Sequence, residues 1–122
     1  MKASEALILG SLVTQQGFGA ESPASSRPCA LGTIGMALGL KFDNLTIYSK
    51  LEKVFPWMRE SGCGVPCPKC DLIEIHTMSV IYHLNDYHRM PRNEIAKWIA
   101  SVEPKELEYK EPVPLIEATV AV

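Results

Sequence analysis

Residues 67–88 read CPKCDLIEIHTMSVIYHLNDYH. Two residues lie between Cys67 and Cys70, twelve between Cys70 and His83, and four between His83 and His88. This is the spacing of a Cys-Cys-His-His zinc site. Zinc takes four sulfur or nitrogen ligands in a tetrahedron, and these side chains supply them. Pro68 and Lys69 form the tight knuckle that presents both sulfurs to one side, and the Lys69 ammonium lowers the cost of two adjacent thiolates. His83 and His88 are five residues apart, about 140° of helical rotation, so they converge only where a helix loosens at its end. Four protein ligands leave no open position for water, so the expected Zn2+ is structural rather than catalytic.

Other residues compete for the site. Cys63 is an alternate ligand, with three residues between it and Cys67. His76 is seven residues before His83 and on the same helical face, but two turns away along the axis, so it is expected to be an ordinary satisfied histidine. Cys29 follows Pro28 at the start of an expected helix, where a thiol pKa can fall. Nothing basic is placed beside it in sequence, so it reads as a buried structural cysteine.

Outward from the motif, 47% of the 122 residues are apolar and 21% charged, enough for one packed domain and too apolar for disorder. Residues 1–104 are expected to form the helical zinc-binding domain and residues 105–122 an extended C-terminal arm. The net charge of −2 offers no basic field for nucleic acid. Three of the four cysteines lie within eight residues of one another and near histidines, which favours metal in a reducing compartment over disulfides. Glu5 interrupts the front of the first apolar run and no small-x-small cleavage site follows it, so secretion is not expected. No apolar run approaches the length of a transmembrane span.

Periodicity predicts a helix over 4–14, capped by Ser4, with Leu9, Leu12 and Val13 recurring at helical spacing and Ala6 behind them. QQGFG breaks it, and AESPASSRP reads as a turn-forming loop. A second helix is expected over 29–38, stopped by Gly39, with Gly32 and Gly35 marking close approach of a neighbour. A third covers 45–54, capped by Asn44, lined by Leu45, Tyr48, Leu51 and Phe55, and ended by Pro56. SGCGVPCPKC reads as a compact loop and DLIEI as a short strand. Residues 77–87 form a helix with Met78, Ile81, Tyr82 and Asn85 on one side. Pro91 sits in the first turn of a last helix with an apolar stripe at Ile95, Trp98, Ile99 and Val102. The zinc loop is expected to pack against these last two helices. After Pro104 the three prolines and the β-branched, apolar end read as extended chain, able to add a strand to its own domain or to a neighbour.

Enzyme chemistry finds little support. HExxH is absent, and the His and Asn residues of HLNDYH lie in one turn, whereas His-Asn-His nucleases spread them over a hairpin and a helix. The segment equivalent to a recognition helix, HTMSVIYHLNDYH, carries no Lys or Arg until Arg89. NEIAKWIA could open a helix-turn-helix, but no basic helix follows. A nucleic-acid-binding zinc module and a metal-dependent hydrolase or nuclease stand as the alternatives.

HLNDYHRMPRNEIAKWI, residues 83–99, resembles a pattern of small uncharacterised phage and bacterial proteins: HLND-x-H, then an aromatic, Ser or Thr, Arg, and IA-x-W. SEALILGSLVTQQGFG and CALG are similar to the start of the same proteins, with a CP-x-C pair commonly between. The resemblance covers most of residues 1–101 in pieces and does not reach the tail after residue 104. This chain has Met90 at the aromatic position and Pro91 at the Ser/Thr position, changes that leave the metal ligands alone. The resemblance implies a phage or prophage source and no assigned activity. Together these readings make the chain mainly α: a small helical domain with a zinc-knuckle loop and an extended arm. It is expected to be a non-enzymatic interaction protein of the host cytoplasm or the virion, meeting a protein partner or another copy through its arm. Nucleic acid and membrane are not expected partners.

Overall fold

The computed structural model describes residues 1–18, 27–43, 45–60 and 64–105. In chain order these form α1 (Ala3–Ser11), α2 (Ala30–Ala37), α3 (Ile47–Val54), β1 (Val65–Pro66), β2 (Ile73–Glu74), α4 (Thr77–Asp86) and α5 (Arg92–Val102). The protein is mainly α, with the two short strands paired as one antiparallel hairpin. A 3-10 turn at Pro56–Met58 follows α3, because Pro56 cannot continue the helix. No helix among the described residues is long and apolar enough to cross a membrane. Residues 106–122, most of the expected arm, lie outside the described residues, as do Asn44 and Cys63.

The core is assembled from helix faces. α1 packs against α2 and α5, α2 also meets α3 and α4, and α4 meets α5 and the hairpin. Phe55, Leu31, Ile34, Leu51, Ile81, Leu84, Ile95 and Ile99 are all fully buried. Each such side chain stabilises the fold by roughly 1.5–3 kcal/mol through removal from water. The expected packing of the zinc loop against both last helices resolves into contact with α4; the main partner of α5 is α1.

α1 buries the opposite face from the one its apolar residues suggest. Leu9, Leu12 and Val13 are exposed, Leu12 at 76% and Val13 at 83%. Ala3, Ser4, Ala6, Leu7 and Gly10 are buried instead. The reason is close helix approach: a Cβ at Gly10 would lie 2.5 Å from the Thr33 methyl and 2.7 Å from the Thr33 carbonyl oxygen. A face of small residues lets the backbones of α1 and α2 come together, and the branched side chains are left outside. Ser4 is not the cap. It lies within the helix, behind Lys2 at the N-cap. Its N–H and hydroxyl both donate to the buried carboxylate of Glu103, just past α5. A carboxylate from the far end of the chain therefore caps the positive end of α1, while Glu5 accepts from the Lys2 N–H at 3.0 Å.

α2 starts at Ala30 with Cys29 as its N-cap, and the chain leaves it through Gly39 at φ 72°. The close approach expected at Gly35 is present: a Cβ there would lie 2.6 Å from the Phe42 ring. α3 begins two residues later than expected, and Leu45 is 91% exposed rather than lining a buried face. Asp43 organises that turn, accepting from the N–H groups of Leu45 and Thr46, both at 2.9 Å. These bonds hold the Asp43 carboxyl below its ordinary pKa. In α4, Tyr82 is exposed rather than on the buried side with Met78 and Ile81. In α5, Val102 is likewise exposed and Pro91 is the N-cap rather than part of the first turn.

Two buried polar side chains pin the core. Asn85 accepts from Gln16 Nε2 at 2.9 Å and from the Ala30 N–H at 3.1 Å, and donates to the Gly17 carbonyl at 2.9 Å. It thereby ties the segment after α1 and the start of α2 to α4. Arg92 donates to Thr14 Oγ1 at 2.7 Å, to Thr33 Oγ1 at 3.0 Å and to the Thr14 carbonyl. Both side chains are buried and each makes several hydrogen bonds, which is what a desolvated amide or guanidinium needs.

Candidate metal centre

The hairpin builds one half of the site. Val65 pairs with Glu74 and Pro66 with Ile73, so Cys67 and Cys70 lie in the connecting turn. That turn is closed by the Cys67 N–H donating to the Leu72 carbonyl at 2.9 Å. The Lys69 N–H donates to Cys67 Sγ at 3.4 Å. The loop expected over residues 61–70 therefore contains strand β1, paired to the expected strand in DLIEI.

The C-terminal end of α4 builds the other half. His83 lies in the last full turn, and the helix then widens: the His88 N–H donates to the His83 carbonyl at 3.2 Å, spanning five residues rather than four. Arg89 follows in the left-handed region, at φ 49°, with its guanidinium 4.5 Å from the centroid of the Phe18 ring. This is the loosening that the five-residue spacing demands, and it swings His88 round beside His83. Their ring centroids are 4.7 Å apart, edge to face. Tyr87 stacks on His83 at 4.9 Å and fixes the ring plane.

The two halves meet. Cys67 Sγ lies 3.5 Å from His88 Nε2 and Cys70 Sγ lies 3.4 Å from His83 Nε2. One donor atom from each of these four residues falls within 4.8 Å of all the others. A tetrahedral ion with Zn–S near 2.3 Å and Zn–N near 2.0–2.1 Å separates sulfur from nitrogen by about 3.6 Å. The observed separations fit that figure, so the group can hold a metal ion. Without a metal the same contacts serve as thiol–imidazole hydrogen bonds. His88 is held below the ordinary imidazole pKa, first by desolvation and then by His83 and Lys69. A ligating imidazole must be neutral, so this shift works toward metal binding. Cys67 is 5% exposed and Cys70 is open to solvent, so the ion would sit at the edge of the core.

The other candidates fall elsewhere. His76 caps α4, its Nδ1 accepting from the Ser79 N–H at 3.2 Å. Cys29 caps α2, and burial pushes its thiol pKa up, away from nucleophilic character.

Beside the metal centre lies a cavity of about 290 Å³, lined by Tyr48, Glu74, Ser79, Tyr82, His83, Asp86 and Tyr87. The four from within α4, residues 79, 82, 83 and 86, follow i, i+3, i+4, i+7 and so share one helical face. Asp86 raises the Tyr82 pKa, and burial with surrounding negative groups pushes Tyr48 up to about 12. The sequence pattern places Tyr48 on one face of the third helix and Tyr82 on one side of the fourth with Met78 and Ile81, and singles out neither Glu74 nor Asp86. The only local signal is the helical spacing of 79, 82, 83 and 86, because Tyr48 and Glu74 arrive from distant segments. Comparison with protein-family models, curated proteins and solved structures returns no match.

Proposed function

We propose that this is a non-enzymatic, zinc-stabilised protein-interaction protein. One observation carries the metal half: four side-chain donors from the hairpin and the end of α4 converge at the separations of a tetrahedral ion. Zinc held by Cys67, Cys70, His83 and His88 has its coordination filled by protein, which supports a structural ion over a catalytic one. It ties the hairpin to α4. Metal analysis with native mass spectrometry tests this directly: one zinc per chain is expected, lost when Cys67 and Cys70 are both replaced by Ser. A metal-free protein, or zinc retained in that variant, overturns it.

The interaction half rests on the exposed face of α1. Ile8, Leu9, Leu12 and Val13 form an apolar strip on a small domain, the kind of surface that marks a contact site. Glu103, held at Ser4, brings the chain past α5 to the start of that helix. Residues 113–122, VPLIEATVAV, follow ten positions later and are apolar and β-branched. The arm of a second copy is the occupant that suits the strip. Deletion of 105–122 and the substitution Leu12→Asp should each reduce the native complex to monomer. A full chain that is already monomeric, or a deletion that leaves the assembly unchanged, overturns self-association. The resemblance of residues 83–99 to phage and bacterial proteins supports a phage-encoded virion component or accessory factor. Carboxylates Glu74 on β2 and Asp86 on α4 oppose contact with phosphate backbones, so the helix that follows the knuckle is poorly suited to reading nucleic acid.

A further inference from the structure

We infer that the cavity beside the metal centre is a binding site for a single organic cation, the ammonium or guanidinium group of a lysine or arginine side chain on a partner protein. It gives the interaction protein proposed above a recognition chemistry and rests on that role only for the source of the cation. Three tyrosines, Tyr48, Tyr82 and Tyr87, and two carboxylate residues, Glu74 and Asp86, line one space of about 290 Å³. Aromatic faces attract a desolvated cation through the ring quadrupole, and carboxylates supply the counter-charge and the hydrogen-bond acceptors. Among the described residues, no Lys or Arg lines the cavity. A zinc ion with two thiolates and two neutral imidazoles is formally neutral, so the neighbouring centre does not offset the two acids.

Size and construction point the same way. The cavity stands at the lower edge of ligand-pocket volumes, which suits one side-chain head group rather than a larger organic molecule. Its walls come from three places: Tyr48 from α3, Glu74 from β2, and Tyr82 and Asp86 from α4. Tyr87 is held in place by stacking on His83 at 4.9 Å. The metal that fixes His83 would therefore also fix one wall of the cavity. A phenol is neutral at physiological pH, and the burial that pushes Tyr48 up to about 12 moves it further from ionisation, so it brings no competing charge to the cavity.

The test is two-dimensional amide NMR of the full, zinc-loaded chain titrated with Nα-acetyl-lysine methylamide and Nα-acetyl-arginine methylamide. Neutral counterparts, the Nε-acetylated lysine and the citrulline derivative, run in parallel, and spermidine stands for a free polyamine. The expected result is saturable, millimolar binding of a cationic amino-acid probe, with shifts gathered at the cavity residues and no saturable response to the neutral probes. Glu74→Gln, checked by its own spectrum and zinc content, should weaken binding about fivefold, the scale of one exposed charge pair. Equal response to charged and neutral probes, no saturable binding of any cation, or an unchanged affinity in Glu74→Gln overturns the assignment. Spermidine binding more tightly than both amino-acid probes overturns the side-chain source. None of these outcomes depends on whether the chain self-associates, so the cavity and the arm stand or fall separately.

Discussion

If the four donors hold zinc as proposed, chelating it from the purified full chain should produce a large but local loss of order. The donors couple the hairpin to the end of α4: the hairpin's contacts are with α4, whereas α1 packs against α2 and α5 away from the site. A ligand present at a thousand times its dissociation constant stabilises the form that binds it by about 4 kcal/mol. For a domain near 100 residues, each kcal/mol moves Tm by about 4–8 °C, so the holo protein should melt about 15–30 °C above the chelated one. The residues that open on chelation follow from the hydrogen bonds. The Cys67 N–H to the Leu72 carbonyl and the His88 N–H to the His83 carbonyl flank the candidate donors, would be held in register by the proposed ion, and should lose protection first. Amides in the middle of α5, beneath Ile95 and Ile99, should keep theirs, because both side chains are fully buried away from the knuckle. Hydrogen exchange read by mass spectrometry, with and without a strong chelator, measures both. An unchanged Tm, or protection lost evenly across α1 and α5, refutes the idea of a local staple.

Three further outcomes follow from the same geometry. Asn85→Ala leaves the Ala30 N–H and the Gly17 carbonyl without their buried partner. At about 1–3 kcal/mol for each orphaned group, the variant should lose about 2–5 kcal/mol, read from the urea midpoint at constant slope; a loss below about 1 kcal/mol would show that the amide is replaceable by water. Glu103→Ala removes the carboxylate that accepts from both groups of Ser4 at the start of α1. A loss of about 1–3 kcal/mol is expected in the same assay, and Glu103→Gln should recover part of it because an acceptor remains. Finally, His88 is held below its ordinary pKa, so the folded, metal-ready form favours the neutral ring. The stability it contributes is complete above the unfolded value of about 6.5 and is lost as pH falls through that value toward the depressed one. Zinc release followed with a chromogenic chelator should therefore rise on acidification, and release that is flat across this range would contradict the assignment of His88 as a ligand.

The convergence of Cys67, Cys70, His83 and His88 was legible in residues 67–88 because a knuckle and a helix end are local structures, and local spacing determines which side chains can converge. Even the loosening of the helix between His83 and His88 could be anticipated, since five residues overshoot one turn. α2, α4 and α5 were legible for a similar reason: Gly39, the buried spacing of Met78 and Ile81, and the pair Ile95 and Ile99 act within a few residues of themselves. The buried face of α1 was not. Its apolar periodicity favoured Leu9, Leu12 and Val13, and the choice went to Ala6, Leu7 and Gly10 because Thr33 on α2 approaches so closely that only a small residue fits. Ser4 reads as a cap by type, yet its partner is 99 positions away at Glu103. Tyr48, Glu74 and Asp86 likewise gain meaning only when α3, the hairpin and α4 enclose one space. Short-range periodicity specifies which elements form and which donors a turn can gather; the fit of one element's shape against another decides which face is covered, which polar group finds a partner and where a cavity remains.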